Sequence, residues 1–379
     1  MDGGRFQLGD TATDGEIINR MGARWFIDKK IDENWSLLAN LHWLFWRNQA
    51  TDLALFHIAG LKFDSDLQGV LTYATESQRF RMGLYEFKYN PDSKNLGEYL
   101  LRSEAYPTIV ENSQGKDLLA WSFSRVAGFE YGMDYPMFRQ TALAYAEQYN
   151  TPVNDVSFAY LAAVGPKHAE LQAGVALHRQ FRFGKPTVTT TLDPALSKYV
   201  SDNDLTAQAV KLALRGRLDF GALRGGEPGF TVYSEVALLG LKSDTVYYKK
   251  VMQRIPMMAG VDVPTFGFLN TLSLEAEYFK NPYYGRKYAI ADNTGSRFSP
   301  LPNLNQQDYD PAKLPNYSKD DVKWSLYVHK ALNQWLDLKG RVASDHLRLL
   351  GWDGDYVSGQ PVTKRTGDWY FLARIEFHN

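Results

Sequence analysis

Short stretches in which apolar and polar residues alternate recur along almost the whole chain, and this pattern limits its fold more than any other feature. The clearest stretch runs from Gln208 to Phe220. Its apolar face carries Val210, Leu212, Leu214, Leu218 and Phe220, and its charged face carries Lys211, Arg215, Arg217 and Asp219. A period of two residues is that of a β-strand, whose successive side chains point to opposite faces. No interval keeps a 3.6-residue period, so the chain is predicted to be all-β.

The alternating stretches are long enough to cross a lipid bilayer as tilted strands, which takes about 9–11 residues. Aromatic residues, 14% of the chain, lie near many of their ends, as expected at the two membrane surfaces. The mean hydropathy of −0.37 and the lack of a long apolar run exclude a helical membrane protein. About sixteen strands are predicted, at 16–28, 34–47, 53–64, 67–75, 79–89, 118–132, 137–148, 154–164, 168–182, 205–221, 229–241, 254–263, 268–280, 321–332, 335–346 and 368–378.

The connections between these strands are sorted by length. Short ones follow the even-numbered strands and long ones the odd-numbered strands, at about 90–117, 183–204, 242–253, 281–320 and 347–367. A closed barrel with short periplasmic turns and long extracellular loops has this asymmetry, whereas a soluble β-sandwich has no reason for it. The sequence therefore predicts one closed antiparallel transmembrane β-barrel over residues 1–379, with 1–15 as an N-terminal segment.

The last predicted strand alternates regularly. Its outer face carries Trp369, Phe371, Ala373, Ile375 and Phe377. In this strand, in the strand count and in the sorting of its loops, the chain resembles the general porins of the Gram-negative outer membrane. His378 and Asn379 follow Phe377, whereas a porin strand usually ends on the aromatic residue itself. The resemblance implies an outer-membrane location, and because the first residues carry no signal peptide, such a peptide is expected to have been removed.

The resemblance also implies that the loop after the fifth strand folds into the lumen and narrows it. In this chain that loop is 90–117. Its charged residues form the predicted constriction and are Glu98, Arg102, Glu104 and Glu111.

Charged residues on the strands are predicted to face the interior, because an Arg or Lys facing lipid at mid-membrane costs about 2–4 kcal/mol. They would line a water-filled path or pair with each other to hold the strand register. A basic excess on strands ten and fourteen to sixteen favours anionic or polar solutes. The predicted lining residues are Arg20, Arg24, Arg79, Arg81, Lys211, Arg215, Arg217, Glu235, Glu275, Glu277, Lys323, His329, Lys339, Arg341, Arg374 and Glu376.

Catalytic and metal sites have little support in the sequence. Asp345 beside His346 is the best candidate for hydrolytic chemistry, but such a pair at a strand end is ordinary. No His-x-x-x-His pair is present, and no cysteine. We therefore expect no enzyme activity, no cofactor and no metal site.

A passive channel for small polar or charged solutes is the function predicted. Its partners would be the lipid bilayer, lipopolysaccharide and the solutes, with a homo-oligomer or other envelope proteins as further partners. The near-zero net charge of −1 argues against nucleic acid. Two alternatives are kept: a structural or adhesive barrel with a closed lumen, and a soluble all-β carbohydrate-binding protein.

Overall fold

The fold was obtained as a computed structural model, which describes residues 4–13, 16–48, 62–102, 124–146, 156–181, 190–193, 198–201, 209–223, 229–241, 251–278, 322–344 and 369–378. Sixteen antiparallel strands form one closed barrel, and β10 and β11 form a separate two-stranded sheet. The strands are β1 (Gly4–Thr13), β2 (Glu16–Lys30), β3 (Trp35–Asn48), β4 (Lys62–Ala74), β5 (Gln78–Phe87), β6 (Ser124–Tyr135), β7 (Phe138–Ala146), β8 (Val156–Val164), β9 (Ala169–Phe181), β10 (Thr190–Asp193), β11 (Lys198–Ser201), β12 (Ala209–Asp219), β13 (Thr231–Leu238), β14 (Met257–Asp262), β15 (Thr271–Tyr278), β16 (Val322–Asn333), β17 (Leu336–Ser344) and β18 (Trp369–His378).

Each barrel strand pairs with its neighbours along the chain, except that β9 pairs directly with β12. The predicted closed all-β barrel of about sixteen strands is therefore confirmed. Closure depends on β1, which pairs with β18 on one side and with β2 on the other.

Two of the predicted strand limits were wrong. The segment 1–15 was not predicted as a strand, yet it contains β1, in which only Phe6 and Leu8 mark the apolar positions. These two residues lie opposite Phe377 and Ile375 of β18. The position of β1 is therefore fixed by its pairing with the last strand, although its own alternation is weak. The segments 53–64 and 67–75 were predicted as two strands, whereas Lys62–Ala74 is continuous and residues 53–61 lie outside the described part.

The connections alternate in length around the barrel. One end carries the connections 31–34, 75–77, 136–137, 165–168, 220–230, 263–270 and 334–335, none longer than 11 residues, and we call it the short-turn end. The other end carries the connections 49–61, 88–123, 147–155, 182–208, 239–256, 279–321 and 345–368, together with the two-residue link 14–15 between β1 and β2. The sorting predicted from the sequence is therefore present.

The two faces of the sheet differ in chemistry. On β12, Leu212 and Leu214 are 39% and 45% exposed, whereas Lys211, which precedes Leu212 and points to the other face, is fully buried. Large apolar side chains are exposed around the outside of the ring, and charged and tyrosine side chains fill the inside. This is the reverse of a soluble barrel, whose inside is the apolar core.

Within the described ranges, helical structure is confined to single turns at Tyr99–Arg102 (α1), Phe220–Leu223 (α2) and Val251–Arg254, the last a 3₁₀ turn. Among the described residues, no helix has the length and apolar character needed to cross a membrane. The turn that matters for the interior is α1, which contacts β9, β12 and β13.

Candidate functional site

The chain that leaves β5 turns into the barrel instead of staying at its rim. Residues 88–102, which we call the inner segment, include Asn90, Ser93, Asn95 and Glu98, all fully buried. A polar segment of this kind is stable inside a protein only if its hydrogen-bonding groups find partners there. The partners come from the barrel wall, so the segment is fixed in place.

Glu235 on β13 is the main anchor of the inner segment. Its Oε1 accepts hydrogen bonds from the Tyr89 phenol (2.6 Å) and the Tyr99 backbone N–H (2.8 Å). Its Oε2 accepts from Asn90 Nδ2 and the Glu98 backbone N–H, both at 2.9 Å. Only a carboxylate offers enough lone pairs for four donors, and hydrogen bonds to a charged acceptor are the stronger kind.

A tight bend in the inner segment makes this anchor reachable. Gly97 and Glu98 have φ values of +81° and +63°, in the left-handed region. A Cβ on Gly97 would lie 3.0 Å from Glu235 Oε2 and 3.3 Å from Met258 Cγ. Glycine is therefore required at 97 both for its backbone conformation and for the close approach to the anchor.

Glu275 on β15 holds the preceding part of the segment in the same way. Its Oε2 accepts from the backbone N–H groups of Asn95 and Leu96, both at 2.8 Å. Its Oε1 accepts from the Lys94 backbone N–H and from the Tyr233 phenol. Glu275 and Glu235 thus accept hydrogen bonds from the backbone N–H groups of two successive parts of the inner segment, residues 94–96 and 98–99.

Further contacts extend the attachment to β15, β16 and β17. The Tyr99 phenol donates to Glu277 Oε2 at 2.6 Å, and Asn95 Nδ2 donates to Ser325 Oγ at 3.1 Å. Arg341 donates to Asn95 Oδ1. Burial raises the pKa of the Tyr99 phenol well above its ordinary value, and the Glu277 carboxylate adds to this, so the phenol keeps the proton it donates.

Arg215 on β12 is the basic counterpart of these anchors. Its Nε donates to Asn90 Oδ1 at 2.9 Å, and its terminal nitrogens bind Asp92 and Glu170. Arg217 Nε binds the other oxygen of Asp92 at 2.9 Å. Because only 3% of the Arg215 side chain is exposed, it acts as a link between the inner segment and the wall.

The end of the inner segment packs on an apolar part of the wall. Leu100 and Leu101 are fully buried. Gly174 on β9 lets them approach, because a Cβ there would lie 2.9 Å from Leu100 Cδ2. The surrounding cluster consists of Val70, Tyr85, Phe87, Tyr89, Val126, Leu143, Tyr145, Ala159, Leu161 and Ala176.

A charged group that reaches water lies on β5 and β6. Arg79 and Arg81 both bind Glu130, with Arg79 Nη2 at 2.8 Å from Oε1 and Arg81 Nε at 2.9 Å from Oε2. The Glu130 side chain is fully buried, whereas those of Arg79 and Arg81 are 51% and 20% exposed. The guanidinium groups thus leave positive charge exposed inside the barrel.

The structure places most of the predicted lining residues on the inner face, and their role in solute passage stays a prediction. Nine are buried: Lys211, Arg215, Glu235, Glu275, Glu277, Lys323, Arg341, Arg374 and Glu376. Five are partly exposed: Arg79, Arg81, Arg217, His329 and Lys339. Arg20 and Arg24 lie in β2, but the described side chains do not include theirs.

Of the predicted constriction residues, Glu98 lies inside the barrel and accepts the backbone N–H of Asn90 and, at 3.5 Å, that of Tyr89. The side chain of Arg102 and the residues Glu104 and Glu111 lie outside the described part. Sequence reasoning missed the residues that do the anchoring from the loop side, and the polar run Asn90 to Asn95 directly after β5 was the available signal. Asp345 and His346 also lie outside the described residues.

The chain was compared with known proteins. No protein-family model and no curated protein matches the sequence. OmpF of Salmonella typhi, solved in complex with daunomycin, matches 100% of this chain and 96% of its own, at 11% identity and a TM-score of 0.50. The chain has a porin-like fold. A porin mutant of Rh. blastica (9% identity, 100% and 99% covered, TM-score 0.46) and OmpT, an outer membrane protein of Vibrio cholerae (11%, 100% and 96%, 0.43), are also similar.

Proposed function

We propose that this chain is a channel of the Gram-negative outer membrane through which small polar or charged solutes diffuse. The observation that carries the proposal is the closed ring whose exposed outer side chains are apolar while its charges lie inside. Such a ring suits hydrocarbon outside and water inside. Lipid and lipopolysaccharide would surround it, and a homo-oligomer is compatible with its apolar outer face.

The inner segment would set the width of the path. Its contacts lie on the wall from β4 to β9 and from β12 to β17, including the apolar cluster and the anchors Glu235, Glu275 and Arg215. We propose that solutes pass between the inner segment and the wall formed by β18 and β1 to β3. A segment held by many charge-assisted hydrogen bonds gives a constriction of constant width.

The exposed charges favour anions. In the ion pairs of Arg79, Arg81 and Arg217 with Glu130, Asp92 and Asp219, the basic partner is the more exposed one. The carboxylates are covered by guanidinium groups. A solute that enters at the short-turn end, where Arg79 and Arg217 lie, would therefore meet positive charge before it reaches the path, and charged groups select ions by sign.

The proposal is tested by reconstituting the purified protein in a planar lipid bilayer. We expect stepwise currents of uniform size, with a reversal potential under a salt gradient that indicates anion preference. A change of mobility on SDS gels after boiling checks that the protein is folded. Folded protein that inserts but carries no current would contradict the channel.

A structural barrel with a closed lumen is the second candidate. It is favoured by the buried apolar cluster inside the ring and by the nearly complete burial of Arg215, Glu235 and Arg341. Electrical silence together with normal insertion would support it. The soluble carbohydrate-binding alternative is disfavoured by large apolar side chains exposed on the outside, such as Leu171 (52%) and Phe377 (46%). A protein that stays soluble without detergent would support that alternative.

A further inference from the structure

Two histidines and two carboxylates meet inside the barrel at its short-turn end, away from the inner segment's anchors. His329 lies on β16, Asp337 on β17, and Glu376 and His378 on β18. Asp337 is directly paired with Glu376 in the register of β17 and β18. Three adjacent strands therefore contribute side chains to one cluster, which we call the His–Asp cluster.

The donor atoms of the His–Asp cluster are spaced like metal ligands. Asp337 Oδ2 lies 3.2 Å from His378 Nε2 and 3.3 Å from His329 Nε2. Ligand atoms bound tetrahedrally to zinc at about 2.0–2.1 Å are about 3.3 Å from each other. Glu376 Oε2 is 3.9 Å from His378 Nε2, and the ligand atoms of Asp337, Glu376 and His378 all lie within 4.8 Å of one another.

A second observation is the state of His329. Its Nε2 is buried and has no hydrogen-bond partner, although it points towards Asp337. A buried ring nitrogen without a partner is costly unless a proton donor or a metal ion satisfies it. The ring is nevertheless 22% exposed and that of His378 is 23% exposed, so an ion in the interior water can reach the cluster.

We propose that Asp337, Glu376 and His378 bind a divalent transition-metal ion such as Zn²⁺, and that His329, which lies beside Asp337, completes its coordination. Imidazole ligands favour zinc, copper and nickel over calcium and magnesium, which prefer oxygen. Two carboxylates and two imidazoles supply the four ligands of a tetrahedral zinc ion. The ion would join β16, β17 and β18 close to the pair of β18 and β1 that closes the barrel.

The positive charges of Lys339 and Arg374 beside the site limit its affinity for a metal ion. Lys339 Nζ lies 2.7 Å from Glu376 Oε2 and 4.0 Å from Asp337 Oδ2, and Arg374 binds the other oxygen of Glu376. These cations repel a metal ion, so Lys339 must move aside when the ion binds. Lys339→Met should therefore lower the dissociation constant for the metal.

The test titrates Zn²⁺ alone into chelator-treated, folded protein in detergent and follows the binding heat. We expect one ion per chain and a rise of the unfolding temperature with Zn²⁺. His378→Ala should weaken Zn²⁺ binding by at least about tenfold, because replacing a residue that only hydrogen-bonds to a metal ligand already lowers metal affinity by about 10–100-fold. His168→Ala is the matched control, because His168 lies in the turn between β8 and β9, and it should bind as the unchanged protein does.

Asp337→Asn keeps the shape of the side chain and guards against misfolding of the histidine variant. It should retain the boiling-dependent gel shift and lose the stabilisation by Zn²⁺. Absence of stoichiometric binding in the unchanged protein would overturn the proposal. So would equal affinity in the His329→Ala, Asp337→Asn and His378→Ala variants, because the ion would then bind elsewhere. Neither result depends on whether the barrel conducts.

Discussion

Replacing Glu235 by Gln removes the main anchor of the inner segment with almost no change of shape. Each of its oxygens accepts two hydrogen bonds, at 2.6 and 2.8 Å on Oε1 and at 2.9 Å twice on Oε2. In the Gln side chain one of the two oxygens is replaced by NH₂. The two donors that were bound to that oxygen lose their acceptor and face the N–H groups of the amide instead. Hydrogen bonds to a charged group contribute about 1.5–3 kcal/mol each, so the loss is about 3–6 kcal/mol.

A loss of this size shifts the equilibrium between the docked and released inner segment by roughly 10² to 10⁴, at 1.4 kcal/mol per tenfold. We expect Glu235→Gln to show a larger single-channel conductance and more current noise, because the segment leaves the wall for part of the time. Glu76→Gln, on the exposed turn between β4 and β5, removes the same charge without an anchor and is the control.

The reasoning fails if Glu235→Gln folds normally and conducts like the unchanged protein and the Glu76→Gln control. The four donors would then have other acceptors of equal strength, or the inner segment would not border the path. A urea titration of the folded barrel separates these cases, because a lost anchor lowers the stability even when the conductance is unchanged.

Three further predictions address the bend, the charge and the outer face. Gly97→Ala should destabilise the barrel in urea by at least about 1 kcal/mol more than Gly267→Ala, because both have a positive φ (+81° and +83°) but only a Cβ at 97 meets neighbours; equal effects would show that the approach to Glu235 is not tight. Arg79→Ser should lower anion preference in reversal-potential measurements, whereas Arg215→Ser should mainly disturb the inner segment, and the opposite result would reassign the two arginines. Leu214→Arg, on the outer face of β12, should destabilise the barrel in lipid by about 2–4 kcal/mol, and a neutral effect there would refute a lipid-facing position.

The barrel could be predicted from local patterns because each strand has lipid on one face and the barrel interior on the other, so its residues alternate between apolar and polar. On β12, Lys211, Arg215 and Arg217 alternate with leucines, and the structure has the same division. The prediction failed where the pattern is weak. Strand β1 has two apolar markers, Phe6 and Leu8, and its pairing with β18 joins residues near the opposite ends of the chain.

The inner segment could be predicted only in outline. The position of a loop after β5 follows from the order of strands, but the residues singled out in it were chosen for their charge. The structure shows that the uncharged side chain of Asn90 and the backbone N–H groups of Asn95 and Glu98 make several of the contacts with Glu235 and Glu275. Backbone donors are present in every residue, so the sequence contains no sign of which ones are used.

Strand alternation, loop sorting and the all-β class were determined by the sequence alone, since each arises from residues that are neighbours along the chain. The partners of the interior charges were decided by the tertiary structure. No sequence spacing links His329 to His378, yet the register of β16, β17 and β18 brings both to the same oxygen of Asp337. The physical reason is that closing the sheet fixes which distant side chains share a face and a level inside the barrel.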